Sequence, residues 1–314
     1  MDGMSRRYRD LDHVVTSDGR IHRVVGNLDS ETEILAYNVY SPMSDGDRTY
    51  GGRRYRKHFT EDEGLPADVL ETYGLIPLTN VVQHFDPFGS AARALPSLAS
   101  SVWEDLYCEL TGQLGVDSVG VFGSSMFGMH LTPAGKVRKD VDFVIEGLDK
   151  VGSLRAILPS IRERLGFTAV TAERQRAQYA RYRVLFRNDR NSIGPIIARR
   201  WTGLQLSERV VTTIRVRDPA AVLPLELVKA APTGDDVTVT GTVADADSSN
   251  LFPRRFTLLS DGNRTDVLTF WWKFSTPVRD GDQVSVRGTV IPTHSGPVIR
   301  LTNYVNHWLC IHGE

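Results

Sequence analysis

VGVFGSSMFGMHLTPAGKVRKDVDFVI, residues 119–145, carries the densest chemical pattern in the chain. Its apolar run Val119–Phe122 reads as a buried strand that breaks at Gly123-Ser124-Ser125. A small-residue turn there predicts a short helix over Met126–His130. A loop with Pro133, Gly135, Lys136, Arg138 and Lys139 then leads into a second strand, Asp140–Ile145. Side chains on a strand alternate, so Asp140 and Asp142 share one face while Val141 and Phe143 point into a core. Two carboxylates on one face repel each other, and a divalent cation relieves that repulsion.

The chemistry this pattern fits is phosphoryl or nucleotidyl transfer. Mg²⁺ takes oxygen ligands, commonly one or two carboxylates together with substrate phosphates. Backbone N–H groups of a Gly-Ser turn at a helix start attract anions. Strand, Gly123-Ser124, helix, strand and Asp140-Val141-Asp142 together resemble the nucleotidyltransferases of the DNA polymerase β superfamily over residues 115–200. The resemblance implies Asp140 and Asp142 as catalytic and metal ligands for Mg²⁺ or Mn²⁺. It implies Gly123, Ser124 and Ser125 as nucleotide-binding residues for an NTP such as ATP. Two features depart from the family. The Gly123–Asp140 segment is longer than usual by the loop 133–139. The family's third carboxylate also has no clear counterpart: the strand expected over Ile193–Ala198 offers no acid, Asp189 sits in a turn-like run and Asp218 precedes Pro219 far downstream.

The 314 residues predict two or three domains, and 41% apolar with 24% charged residues is ordinary for a globular chain. A net charge of −1 argues against a generic polyanion binder. Cys108 and Cys310 lack metal-ligand spacing, so free thiols in a reducing cytoplasm are the expected state. No 18-residue apolar run predicts a membrane span, and the N-terminus lacks the apolar core of a secretory signal.

Upstream, His13–Thr16, an Asp18-Gly19 turn and Ile21–Val25 predict a hairpin, followed by a strand over Glu33–Tyr40 that ends at Pro42. The next loop holds Arg48, Arg53, Arg54, Arg56 and Lys57 and reads either as a cationic lid or as a solvated hairpin loop. The Asp-Gly hairpin, the strand containing Leu35-Ala36-Tyr37 and the later Gly-Ser and Asp-x-Asp block together resemble a group of predicted prokaryotic nucleotidyltransferases. Pro66–Tyr73 predicts a short helix, 75–87 an irregular or extended run, and 95–114 a helix with Leu98, Val102, Leu106 and Leu110 on one face. His84 and Asp86 read either as a small site or as structural polar groups.

After the acids, Val151–Leu165 predicts a helix with Leu154, Ile157, Leu158, Ile161 and Leu165 inward. Phe167–Thr171 and Tyr182–Phe186 read as strands. Eleven arginines lie between Arg155 and Arg200 against three acids, which marks a polyanion-facing surface. Alternation in 180–186 puts Arg181 and Arg183 on one strand face as nucleotide-binding candidates, where arginine's fork suits phosphate.

Past Ala230 the composition shifts to five short alternating strands: Val237–Val243, Arg255–Leu259, Val267–Phe274, Gln283–Val290 and Val298–Leu301. Asp-Gly and Ser-Gly turns between them resemble an OB-fold barrel. Phe270, Trp271, Trp272 and Phe274 are its candidate base-stacking aromatics, but seven basic against nine acidic residues in 235–314 argue against a phosphate-tracking groove. The barrel is then expected to pack on the catalytic domain or on a second copy of the chain.

The expected fold is α+β: a nucleotidyltransferase-type mixed sheet flanked by helices (91–230), a β-rich N-terminal region (1–90) and a small OB-like barrel (231–314). The leading functional expectation is a Mg²⁺-dependent nucleotidyltransferase whose acceptor is a small molecule, with RNA, other nucleic acid and protein as further classes. Its rivals are an inactive nucleotide- or RNA-binding protein and a metal-dependent hydrolase. GSSMFG lacks the Gly-Lys-Ser/Thr ending of a P-loop, and no Rossmann glycine pattern occurs.

Overall fold

The computed structural model describes residues 8–58, 66–131, 140–188, 190, 193–207, 210–231, 233–271 and 278–313. Trp272, Phe274, Asp189 and the loop 133–139 lie outside the described residues. The N-terminal region forms β1 (His13–Thr16), β2 (Ile21–Val24), β3 (Asn27–Asp29), β4 (Glu33–Pro42), β5 (Arg48–Tyr50), β6 (Arg53–Lys57), β7 (Gly74–Pro77) and β8 (Val81–Phe85). All but β3 build one curved sheet, ordered β5-β6-β4-β2-β1-β8, with β7 also on β4. The hairpin expected around Asp18-Gly19 is present, with Val14 opposite His22. The cationic loop is itself a hairpin, β5 against β6. The helix expected over Pro66–Tyr73 is a single 3₁₀ turn, Val69–Thr72.

Next come α1 (Pro87–Ala94), α2 (Val102–Leu114), β9 (Val119–Phe122), β10 (Asp142–Glu146), α3 (Lys150–Leu165), α4 (Ala172–Leu185), α5 (Ile193–Ala198), β11 (Gly203–Gln205), β12 (Val211–Arg217), β13 (Val222–Pro224) and α6 (Glu226–Lys229). Four of these strands make a mixed sheet in the order β11-β12-β10-β9. In it β10 is antiparallel to β9 and parallel to β12. One face carries Val121, Phe143, Ile145, Ile214 and Val216, buried against Leu106 and Leu110 of α2 and Leu154, Leu158 and Ile161 of α3. The apolar i, i+3, i+4 spacing of both helices supplies that contact. Phe122 and Val144 point to the other face and pack on Val15, Ile21, Val39, Tyr40 and Phe85 of the N-terminal sheet. The mixed sheet is thus covered by helices on one side and by a second sheet on the other.

Three expectations are corrected here. Tyr182–Phe186 is not a strand: Tyr182–Leu185 is the last turn of α4 and Phe186 follows it, the helix being exposed and capped by the Thr171 side chain, whose hydroxyl accepts from Arg174 N. Ile193–Ala198 is the helix α5, with Ile193, Ile196 and Ile197 buried at helical spacing. Phe167–Thr171 contributes only an isolated bridge, Thr168 to Gln205.

The C-terminal strands are β14 (Val237–Asp245), β15 (Arg254–Ser260), β16 (Asn263–Thr269), β17 (Gln283–Ile291), β18 (Val298–Leu301) and β19 (Trp308–His312). They run β14-β15-β16-β18-β17 and close through β14–β17, with β16 and β18 parallel. Gly241 lets two barrel strands approach closely, since a Cβ there would fall 2.4 Å from the Leu259 carbonyl oxygen. Phe270 and Trp271 are fully buried in the core that joins the barrel to Leu35, Tyr73, Phe186 and Ile196. Arg199, at the end of α5, locks onto Asp282 of the barrel through two hydrogen bonds of 2.5 and 3.1 Å. Cys108 and Cys310 are free thiols. No helix among the described residues is long and apolar enough to cross a membrane.

Candidate functional site

β9 ends at Phe122, and the chain turns at Gly123 with φ of +72°, a left-handed conformation that glycine adopts at little cost. The next residues form a 3₁₀ helix, Gly123–Phe127, closed by Gly128 N–H donating to Ser125 O and Met129 N–H donating to Ser124 O. The helix therefore begins at the Gly-Ser turn itself, three residues before the expected Met126. The first N–H groups of such a turn have no acceptor within it. Ser125 is buried, and its hydroxyl has no hydrogen-bond partner among the described residues.

Asp142 opens β10 opposite Phe122. Its carboxylate reaches back to the turn: a Cβ on Gly123 would lie 3.2 Å from Asp142 Oδ2. Asp140 precedes the strand rather than belonging to it, yet Val141 between the two acids is fully buried among the helix-side residues. The expected alternation holds, with Val141 and Phe143 inward. Burial, followed by the repulsion of Asp140, pushes the Asp142 carboxyl up to about 6. Asp142 thus lies beside the Gly-Ser turn, with Asp140 near enough to act on its carboxyl.

The facing sheet and β12 surround these acids with cations. Arg23 on β2 and Lys57 on β6 both interact with Asp142, as does Arg215 on β12. Arg23 pairs with Tyr37 and Lys57 with Tyr40 across β4, so all four side chains share the sheet face that meets the mixed sheet. The Arg23 guanidinium stacks 4.7 Å above the Tyr37 ring, and Arg48 lies 5.4 Å from the centre of Tyr40. Burial pulls Arg23 down to about 10 and Lys57 below the usual lysine range; Asp142 opposes both shifts. Arg200, following α5, donates to Thr213 Oγ1 on β12 and is likewise pulled down to about 10 by burial. Each of these cations keeps part of its surface accessible. They are half-buried around the two acids rather than sunk in a core.

At the end of β12, Arg217 is almost fully buried. It donates to Asp12 Oδ1 at 2.7 Å, Asp86 Oδ1 at 2.8 Å and Glu146 Oε2 at 2.9 Å. His84 pairs with Asp12 Oδ2 at 2.7 Å, while Asp86 also caps α1 through Gly89 N–H. His84 and Asp86 thus belong to a structural knot. Asp10 accepts from Gly26 N–H, and burial raises it to about 6 despite Arg23, Arg215 and Arg217 nearby.

Of the residues expected from sequence, Gly123, Ser124, Ser125, Asp140 and Asp142 come together. Arg181 and Arg183 are exposed on α4. Two residues apart on a helix they diverge by about 200°, so the shared face inferred for a strand is lost. Asp218 follows the last residue of β12, at the end of the sheet opposite Asp142, and its carboxylate accepts from Ala220 N–H and Leu148 N–H. The strand beside Asp142 is β12, and the residues on the sheet face it shares with Asp142 are Thr213, Arg215 and Arg217. Arg23, Arg200 and Arg215 went unnoticed as site residues; for Arg215 the alternation of Thr213-Ile214-Arg215-Val216-Arg217 was an available signal.

The donor set fits a hard divalent cation that takes its remaining ligands from phosphate oxygens: two carboxylates side by side, one with a raised pKa. Among the described residues no group of three or more His, Cys, Asp or Glu side chains forms a cage for a metal.

No family model matches the chain, and no curated protein matches it.

Proposed function

We infer that the chain is a Mg²⁺-dependent nucleotidyltransferase. The observation that carries this reading is the meeting of Asp142 with Gly123, with Asp140 alongside and Arg23, Lys57 and Arg215 around them. Asp140 and Asp142 would hold the Mg²⁺. When bound, that ion supplies charge neutralisation to the triphosphate. The Gly123–Ser125 amides bind the β- and γ-phosphates, and Lys57 and Arg23 offset the negative charge that develops between them and the acids. An acceptor atom attacks the α-phosphorus in line, and pyrophosphate leaves on the Gly123 side. Catalysis of this kind is positioning and electrostatics. The N-terminal sheet packs over the face of the mixed sheet that carries Asp142, which favours a small-molecule acceptor over a nucleic acid. Burial of Phe270 and Trp271 further disfavours base stacking on the barrel, whose strand order suits an OB-like fold.

A second reading, nucleotide binding without turnover, draws on Arg215. It occupies the strand beside Asp142 where the resemblance calls for a third acid. Incubating the chain with each NTP, Mg²⁺ and pools of candidate acceptors, and following pyrophosphate, separates the two readings. Release that disappears in Asp140→Asn/Asp142→Asn supports transfer. Nucleotide binding without release in any pool supports the second reading, and release that persists in the variant contradicts the role given to the acids.

A further inference from the structure

The acids and the Gly-Ser turn occupy β10 and the β9 side of the sheet. On the other side of β10, β12 presents Arg215 one rung along from Asp142, in register with Val144 on the same face. Arg215 is half-buried. Asp142 and Asp10 act on it at electrostatic range, but among the described residues its guanidinium makes no hydrogen bond or ion pair. Arg200 leans over the same strand through Thr213, and its Nε is buried with no partner among the described residues. A third guanidinium, Arg254 of β15, is fully buried behind them. The carbonyls of Ser249 and Leu251 hold one end of it, and its Nε is again without a partner among the described residues. Arg200 and Arg215 both repel Arg254, and Asp10 offsets part of that repulsion. Arginine does not relieve the remainder by losing its proton. An anion bound by these groups does.

In-line displacement puts the entering nucleophile opposite the leaving group. With pyrophosphate on the β9 side, the acceptor approaches from the β12 side, over Arg215 and Arg200. A general base belongs at that position when the nucleophile is a hydroxyl; here it is cationic. We propose that the acceptor is a small phosphate ester, and that one of its phosphate oxygens, held by Arg215 and Arg200, is the nucleophile. The assignment rests on the nucleotidyl-transfer reading and deepens it. The phosphate oxygen forms the new bond to the α-phosphorus. The bond from that phosphorus to the bridging oxygen of the β-phosphate breaks, and its electron pair departs with pyrophosphate. The product carries the nucleotide in a phosphoanhydride. A phosphate monoester has a second pKa of about 6, so near neutrality the attacking oxygen has no proton to give up and the step needs no third carboxylate.

The test is calorimetric titration of inorganic phosphate into the full chain saturated with Mg²⁺ and an α,β-methylene NTP analogue, which blocks the triphosphate site. Phosphate is expected to bind the loaded chain. Arg215→Gln is expected to weaken that binding roughly tenfold or more, and to weaken analogue binding by a clearly smaller factor. Arg200→Lys, which keeps the charge, gives a smaller loss and serves if the first variant does not fold. Phosphate that fails to bind the loaded chain, or binds the variants equally well, overturns the proposal. An equal loss of analogue affinity assigns Arg215 to the nucleotide and overturns it too. If the analogue itself does not bind the wild-type chain, the transfer reading is what fails, and the acceptor assignment falls with it.

Discussion

Gly123 and Asp142 touch where β9 gives way to its turn: the Asp142 Oδ2 atom stands 3.2 Å from the position a Gly123 Cβ would take, and Gly123 has φ of +72°. A side chain at 123 meets two penalties, left-handed backbone and a crowded carboxylate.

Gly123→Ala is therefore expected to lose about 1–2 kcal/mol of stability from the backbone alone. It should also displace Asp142 and weaken Mg²⁺-dependent nucleotide binding. Urea unfolding together with nucleotide titration checks both effects. A variant as stable and as tightly binding as wild type would remove Gly123 from the site.

Arg217 ties the N-terminal segment, α1 and the mixed sheet together through Asp12, Asp86 and Glu146. Arg217→Met leaves Asp12, itself 1% exposed, as a buried charge without its cation. The expected loss is about 3–5 kcal/mol by denaturant unfolding. A loss under about 1 kcal/mol, the range of an exposed ion pair, would show that the knot contributes little.

Asp10 gives a pH signature. Its carboxyl is raised by burial from 3.8 to about 6. Between those values the folded chain holds a proton that the unfolded chain has released, so stability falls as pH rises through the window. Asp10→Asn keeps an oxygen to accept from Gly26 N–H and has nothing to titrate. The stability of wild type relative to Asp10→Asn, measured without metal from pH 4 to 7, is expected to fall as pH rises. Asp142, raised by burial, and His13, lowered by burial to about 3, contribute slopes of opposite sign to both proteins and cancel in that difference. Parallel curves would contradict the assignment.

Trp271 contributes to the join between barrel and body. Its ring meets Phe186 edge-on at 5.1 Å and stacks near Tyr304 at 6.4 Å. Trp271→Ala is expected to cost about 3–5 kcal/mol. Thermal unfolding unchanged by the substitution would exclude a core role.

Much of this architecture was legible from the sequence because local chemistry and global fold agree. Asp18-Gly19 supplies a hairpin turn, α3 spaces its leucines and isoleucines for one face, and the barrel strands alternate between turns. The acids were legible for the same reason, since Val141 and Phe143 force Asp140 and Asp142 outward. The errors fall where two patterns overlap. Ala172–Leu185 ends in an alternating run, but its Ala, Glu, Gln and Arg residues are strong helix formers and it buries no residue to enforce a period. Ile193–Ala198 is a short apolar run, which periodicity alone cannot divide between helix and strand. Arg23 lies far along the chain from Arg200 and Arg215 and meets them only through tertiary structure, so the alternation around Arg215 gives its sheet face but not its neighbours.

The most direct test of the account is equilibrium binding of an α,β-methylene NTP analogue to the full chain, with and without Mg²⁺, in wild type and in Asp142→Asn. The account predicts tight binding only with Mg²⁺, and loss of that dependence in a variant that still unfolds cooperatively. Binding that ignores both Mg²⁺ and the substitution, or no binding at all in the wild-type chain, would contradict it.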